Sequence, residues 1–141
     1  NRTKIAVVAE GRGRRAVTHY SVLETFPPRA PKPLTSLLRL TLETGRTHQV
    51  RVHLAHIGHP LLGDMTYGAG HKASARKLGP KAEAALAALG RQALHAAELM
   101  FEHPVTGKRL KFESPLPDDM AAVVAALKAA PRAARGTASD P

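Results

Sequence analysis

Cysteine and tryptophan are absent from this chain of 141 residues, and aromatic residues make up only 4% of it. Without cysteine there can be no disulfide bonds or thiolate metal sites, which fits a reducing compartment. Because aromatic residues are so few, the hydrophobic residues, 43% of the chain, must form a mainly aliphatic core. No apolar run approaches the roughly 20 residues of a membrane span, and the N-terminus lacks the apolar core of a signal peptide. We predict a cytoplasmic protein with no membrane partner.

Acidic residues are also scarce. The chain has 11 aspartates and glutamates against 21 lysines and arginines, a formal net charge of +10, and its pI is near 10.7. Such an excess creates a positive field that concentrates polyanions. Nucleic acid is the usual partner of a chain like this, although the charge could serve solubility alone. The length suits one domain or part of one, and because the first residue is Asn we expect a piece of a longer protein.

The pattern of hydrophobic residues predicts short strands with a few helices between them. In one segment Leu38, Leu40 and Leu42 alternate with polar residues, which is typical of a half-buried strand. Strands are predicted at 4–10, 16–26, 36–45, 91–104 and 109–115, helices at 48–57, 80–90 and 117–130, a basic turn at 11–15, a flexible basic loop at 68–79 and a disordered tail at 131–141. Since the helices are interspersed irregularly, we predict an α+β fold, with a mixed, mainly antiparallel sheet and flanking helices.

One stretch, from residue 44 to 64, is rich in histidine and arginine and contains no acidic residue except Asp64, its last residue. His53 and His56 lie three residues apart, so one helical face could present both to a metal. However, there is no HExxH motif and no cysteine, so we predict no metal site. Nucleophilic hydrolysis lacks its Gly-x-Ser-x-Gly motif, and the glycines near residue 12 do not form a phosphate-binding loop.

RNA binding fits the same stretch better. Arg46 lies in a turn and His48 at the start of a helix that Thr47 is expected to cap, where backbone N–H groups also point outward. Arg51 lies on the flank of the apolar face of that helix. Its guanidinium could be a solvated surface charge, or it could reach into a cleft and hold a carboxylate or phosphate with two hydrogen bonds. The residues alone leave both alternatives open.

The segment LETGRTHQVRVHLAHIGHPLLGDMTYG resembles the signature of the RluA-type pseudouridine synthases, L-x-T-G-R-T-H-Q-[IV]-R-x-H-L-x-x-x-G-H-P-[IL]-x-G-D-x-x-Y-G. The matching residues are Leu42, Thr44, Gly45, Arg46, Thr47, His48, Gln49, Arg51, His53, Leu54, Gly58, His59, Pro60, Gly63, Asp64, Tyr67 and Gly68. A second block, RQALHA followed by FEHPVTGKRLKFESPLPDDM, resembles the family's C-terminal segment. The resemblance covers about residues 1–127, and among subgroups it points to the large-subunit rRNA synthase D type.

This resemblance implies an enzyme that isomerises uridine to pseudouridine in large-subunit rRNA without a cofactor. The family's catalytic aspartate stands in an Arg-Leu-Asp-x-x-Thr-Ser-Gly motif, which this chain lacks. Its four aspartates stand in other contexts: Asp64, Asp118, Asp119 and Asp140. We therefore expect residues 1–130 to be the C-terminal part of a catalytic domain, inactive alone and partnered by a missing N-terminal half. A noncatalytic basic RNA-binding module is the alternative.

The resemblance also assigns roles to individual residues. Arg51 matches the family arginine that forms an ion pair with the catalytic aspartate, and Leu94 is either a wall of the base pocket or an ordinary core residue. Tyr67 is expected to be structural. Candidates for RNA contact, or for support of the site, are Arg46, His48, Gln49 and His53. Basic side chains that could contact phosphates are Arg12, Arg14, Arg15, Lys72, Arg76 and Lys77.

Overall fold

The computed structural model of the chain describes residues 3–7 and 15–129. The predicted turn at 11–15 lies outside these residues apart from Arg15, and so does the predicted tail at 131–141. The strands are β1 Thr3–Val7, β2 Ala16–Phe26, β3 Thr35–Leu42, β4 Glu98–Glu102 and β5 Arg109–Glu113. The helices are α1 Gln49–His56, α2 Lys72–Ala75, α3 Pro80–Leu89 and α4 Asp118–Lys128, with 3-10 turns at Ala69–His71 and Arg76–Leu78.

The strands form two separate antiparallel sheets. The first has the order β1-β2-β3, and its long central strand β2 pairs with β3 in a register that places Thr18 opposite Leu42 and Tyr20 opposite Leu40. The second sheet is the β4–β5 hairpin. Every strand pairing among the described residues is antiparallel, and helices flank the strands, so the predicted α+β class is confirmed.

Two hydrophobic clusters make up the core. The larger cluster joins α3 and α4 to the end of β2, and its buried residues are Phe26, Leu78, Ala82, Leu89, Met120, Val123 and Leu127. The smaller cluster has Val50 and Leu54 of α1 at its centre, packed against Tyr20, Leu38, Leu40, Leu61 and Leu94. The candidate site therefore rests on the smaller of the two clusters.

Helices α3 and α4 follow their predicted signals. Pro80 opens α3, where its missing N–H costs nothing, and Gly90 ends it in the left-handed conformation with φ 65°. Asp118 and Asp119 lie in the first turn of α4 and Lys128 in its last, which complements the helix dipole. Among the residues that the structure describes, no helix has the length and hydrophobicity needed to cross a membrane.

Two predictions about segments were wrong. The stretch 68–79, predicted as a flexible loop, forms short helical turns, because Leu78 is buried in the larger cluster and anchors them. The strand predicted at 91–104 is confined to β4. Its first part instead packs beside the loop that follows α1, where the N–H of Ala93 donates to the carbonyl of Leu62 over 2.8 Å.

Candidate functional site

Helix α1 lies within the motif, and its two ends are stabilised in different ways. At the start, His48 has φ 52°, and no side chain caps the helix, so the prediction that Thr47 caps it was wrong. Gln49 takes over this turn instead, since its Oε1 accepts hydrogen bonds from the N–H of Arg46 at 3.0 Å and the hydroxyl of Thr44 at 2.7 Å. At the other end Gly58 follows the helix with φ 82°, as predicted.

Gln49 and His53 attach α1 to the central strand β2. The Nε2 of Gln49 donates to the carbonyl of Val17 and the hydroxyl of Thr18, each at 3.0 Å. The same hydroxyl lies 2.8 Å from Nδ1 of His53. Both side chains belong to buried residues, exposed by 4% and 3%. This placement favours the supporting role that the sequence left open for them over direct RNA contact.

Burial lowers the pKa of His53 from its ordinary value of 6.5, and the neighbouring His56 lowers it further. An imidazole whose pKa is lower in the folded state binds protons more readily in the unfolded state. The stabilisation it gives is therefore present above pH 6.5 and is lost as the pH falls through the lower folded-state value. We expect the melting temperature to fall on going from pH 8 to pH 5, and to fall less in His53→Gln. An equal fall in the melting temperatures of His53→Gln and the wild type between pH 8 and pH 5 would contradict the assignment. The control is His71→Gln, at an exposed position.

After α1 the chain makes two tight turns around Asp64. Gly63 has φ 77°, and a β-carbon at this position would overlap the carbonyl oxygen of Arg91. A β-carbon on Gly68 would lie 2.6 Å from the carbonyl oxygen of Asp64. Only glycine avoids both conflicts, so the two motif glycines set the path of the backbone on either side of the aspartate.

Asp64 binds Arg51 through both carboxylate oxygens. Its Oδ2 accepts from Nε of Arg51 at 2.8 Å, and its Oδ1 accepts from Nη2 at 3.0 Å. The Asp64 side chain is completely buried, whereas that of Arg51 is 14% exposed. The hydrogen bond from Arg51 lowers the pKa of Asp64 to about 2 despite the opposing effect of burial, and the N–H groups of Tyr67 and Thr66 assist. The pair therefore stays charged throughout the physiological pH range.

Tyr67 extends this pair towards the surface. Its ring lies against the guanidinium of Arg51, with 5.0 Å from Cζ to the ring centroid, a cation–π arrangement. Its hydroxyl lies 3.1 Å from Nδ1 of the exposed His48, whose ring meets the tyrosine edge-on. We call Arg51, Asp64, Tyr67 and His48 the arginine network. The network thus brings residues at the start of α1 into contact with residues of the turns that follow this helix.

The other predicted site residues are placed as follows. Arg46, Arg76 and Lys77 are exposed, and Arg15 is an exposed partner of Glu43 at 3.6 Å. Lys72 begins α2, and Arg12 and Arg14 lie outside the described residues. Leu94 packs against the smaller hydrophobic cluster, so its core contacts are observed while a role in a base pocket stays a prediction. Within the described part of the chain, no group of three or more His, Asp or Glu side chains is placed to hold a metal ion.

Comparison with known proteins gives consistent results at the level of family, sequence and structure. The family model described as RNA pseudouridylate synthase matches residues 2–56. Ribosomal large subunit pseudouridine synthase D of Zymomonas mobilis subsp. mobilis is 49% identical over 120 residues, which is 85% of this chain and 34% of the relative. The protein of the same name from Nitrosomonas europaea is 48% identical over 131 residues, 93% of this chain and 34% of the relative.

Among solved structures, human RNA pseudouridylate synthase domain containing 1 matches with a TM-score of 0.53 and 27% identity, over 81% of this chain and 48% of that one. The chain thus resembles the RNA pseudouridylate synthase family in its sequence over residues 2–56 and in its fold over 81% of its length. Over most of its length it is similar to the large-subunit synthases of the D type, and it spans about a third (34%) of the length of these curated relatives.

Sequence reasoning missed the main contact of the site, the pairing of Arg51 with Asp64. The resemblance assigned Arg51 to an aspartate absent from the chain and treated Asp64 only as part of the Gly-Asp motif. A signal was available, because Asp64 is the acid that closes a stretch rich in cations. A buried carboxylate in such surroundings requires a cationic partner.

Proposed function

We propose that this chain is part of an RNA pseudouridine synthase that converts uridine to pseudouridine in large-subunit rRNA and works in the cytoplasm. The proposal rests chiefly on the identity of 48–49% with synthases of the D type over 85–93% of the chain. The arginine network supports the proposal. Within the family motif it holds the charged guanidinium of Arg51, whose side chain is mostly buried but 14% exposed. Residues 1–130 would form the C-terminal part of the catalytic domain.

The catalytic aspartate would come from a part of the protein outside this chain. Asp64 is occupied by Arg51, and Asp119 pairs with Arg91 over 2.9 Å near the start of α4. Asp118 is exposed in the first turn of the same helix. None of these three carboxylates stands in an Arg-Leu-Asp-x-x-Thr-Ser-Gly context, so the proposed reaction needs an additional carboxylate.

The β4–β5 hairpin offers a surface for that other part of the protein. Its register pairs Leu99 with Phe112 and Phe101 with Leu110, which gives one wholly apolar face. Leu99, Phe101 and Phe112 are 59%, 43% and 54% exposed. An isolated two-stranded hairpin is marginally stable in water. We infer that the remainder of the catalytic domain covers this face.

The proposal is tested by comparing this chain with a longer product that contains an Arg-Leu-Asp-x-x-Thr-Ser-Gly motif. Both are incubated with unmodified large-subunit rRNA carrying tritium at C5 of uridine, which is released when the base is isomerised. We expect release with the longer product and none with this chain. Both should bind RNA with an affinity that falls as salt rises, since phosphate contacts release counterions.

The alternative, a noncatalytic basic RNA-binding module, draws on the net charge of +10. It predicts salt-sensitive RNA binding by both products and no tritium release from either. Release by the longer product would exclude it. A longer product that binds rRNA but never modifies it would overturn the proposed enzyme.

A further inference from the structure

The contact between Arg51 and Asp64 is stiffer than an ordinary ion pair. Two parallel hydrogen bonds fix the plane of the guanidinium, and the ring of Tyr67 lies over its face. Asp64 is itself held, since its Oδ1 also accepts the N–H groups of Thr66 at 3.1 Å and Tyr67 at 3.0 Å. The orientation of the guanidinium is therefore fixed by Asp64 within its plane and by the ring of Tyr67 against its face.

This arrangement uses only part of the hydrogen-bonding capacity of Arg51. A guanidinium has five N–H donors, and Asp64 engages one on Nε and one on Nη2. Among the residues that the structure describes, no acceptor engages Nη1. Three donors thus remain for a further acceptor, on the side of the guanidinium that Asp64 leaves open.

We propose that Asp64 is a positioning residue that fixes Arg51 so that its remaining donors meet the catalytic carboxylate. The inference rests on the proposed function, in which that carboxylate comes from outside this chain. Without Asp64, a single guanidinium near RNA would be free to turn towards phosphate oxygens, which it binds equally well. By occupying one edge of the guanidinium, Asp64 restricts Arg51 to one orientation and neutralises part of its attraction for the RNA backbone.

The substitution Asp64→Asn separates positioning from folding. An asparagine retains an Oδ1 that can accept from Thr66, Tyr67 and Nη2 of Arg51, but it places an NH2 group opposite Nε of the arginine. The matched control is Asp119→Asn, because Asp119 also accepts two hydrogen bonds from an arginine, Arg91, at 2.9 and 3.0 Å, is exposed, and makes no hydrogen bond to the arginine network.

The test measures single-turnover rates of the whole synthase on unmodified rRNA, together with the Kd for RNA and the melting temperature. We expect Asp64→Asn to slow the reaction about 10- to 100-fold, as a small misplacement of a catalytic group does, with Kd changed less than about twofold. Asp119→Asn should react at the wild-type rate. Because Asp64 acts through Arg51, the double variant Arg51→Lys/Asp64→Asn should be no slower than Arg51→Lys, a strongly non-additive pair.

Each contrary result has a definite meaning. A wild-type rate for Asp64→Asn beside a slow Arg51→Lys would overturn the positioning role, and so would effects that multiply in the double variant. If the rate of Asp64→Asn returned to the wild-type value at a temperature well below the melting point of the variant, the role of Asp64 would be purely structural. If Arg51→Lys is too slow to measure, the rate and Kd of Asp64→Asn decide. Full activity of Arg51→Lys would instead remove Arg51 from the proposed function.

Discussion

Replacing Arg51 with methionine in the whole synthase is expected to reduce turnover about 1,000-fold or more while leaving the Kd for RNA within about twofold. Methionine has a similar length and can contact Tyr67, but it has neither charge nor donors. A catalytic carboxylate would lose the cation that keeps it ionised and oriented. Removing one preorganised donor from an active site typically costs 10²–10³ in rate, and here several are lost together.

The measurement is tritium release from C5-labelled rRNA under single-turnover conditions, with RNA binding followed in parallel. Arg39→Met is the control, because Arg39 is an exposed residue of β3 outside the arginine network, and its loss removes the same charge. The control should lower RNA affinity slightly at most and react normally. Near-normal turnover by Arg51→Met, in protein that is folded, would show that Arg51 has no part in the chemistry.

The second large effect is on stability. Gly63→Ala is expected to destabilise the protein by about 3 kcal/mol or more. The positive φ of 77° costs an L-residue roughly 1–2 kcal/mol. In addition, the new methyl group would overlap the carbonyl oxygen of Arg91, which belongs to backbone and cannot rotate away. Separating the two segments to make room adds about 1–3 kcal/mol, as overpacking does.

Gly58→Ala separates these two contributions. Gly58 has a similar φ of 82°, but a β-carbon there meets nothing within 4 Å. Its replacement should therefore cost about 1–2 kcal/mol, from backbone conformation alone. The free energy of unfolding of both variants can be obtained from urea denaturation. Equal losses would show that Arg91 moves aside easily and that the close approach after α1 has no energetic importance.

The regular elements were predictable from local signals. Pro80 and Gly90 delimit α3, the alternation of Leu38, Leu40 and Leu42 marks β3, and two aspartates occupy the first turn of α4. These signals depend on neighbours within a few residues, so a single sequence contains them. The α+β class followed from their order.

Contacts between distant segments were not predictable in the same way. Leu78 anchors the turns at 69–78 only because α3 and α4 provide a cluster for it, and nothing local distinguishes this from a loop. The same applies to Asp64, which is 13 residues from Arg51 in sequence, and to Gln49, which reaches Thr18 from 31 residues away. The motif indicated which residues are candidates for the site, but only the fold shows which of them bind one another.

The unequal division of the core has a consequence for motion. Helix α1 contributes two buried apolar residues to its own cluster, whereas α3 and α4 contribute five to the larger cluster, which also contains Phe26 and Leu78. Segments with little buried apolar surface open at lower free energy than the rest of a protein. Amide hydrogens of α1 should therefore exchange with solvent through a local opening that leaves α3 and α4 closed. The guanidinium of Arg51 would then be fixed in place only while α1 stays packed on the smaller hydrophobic cluster.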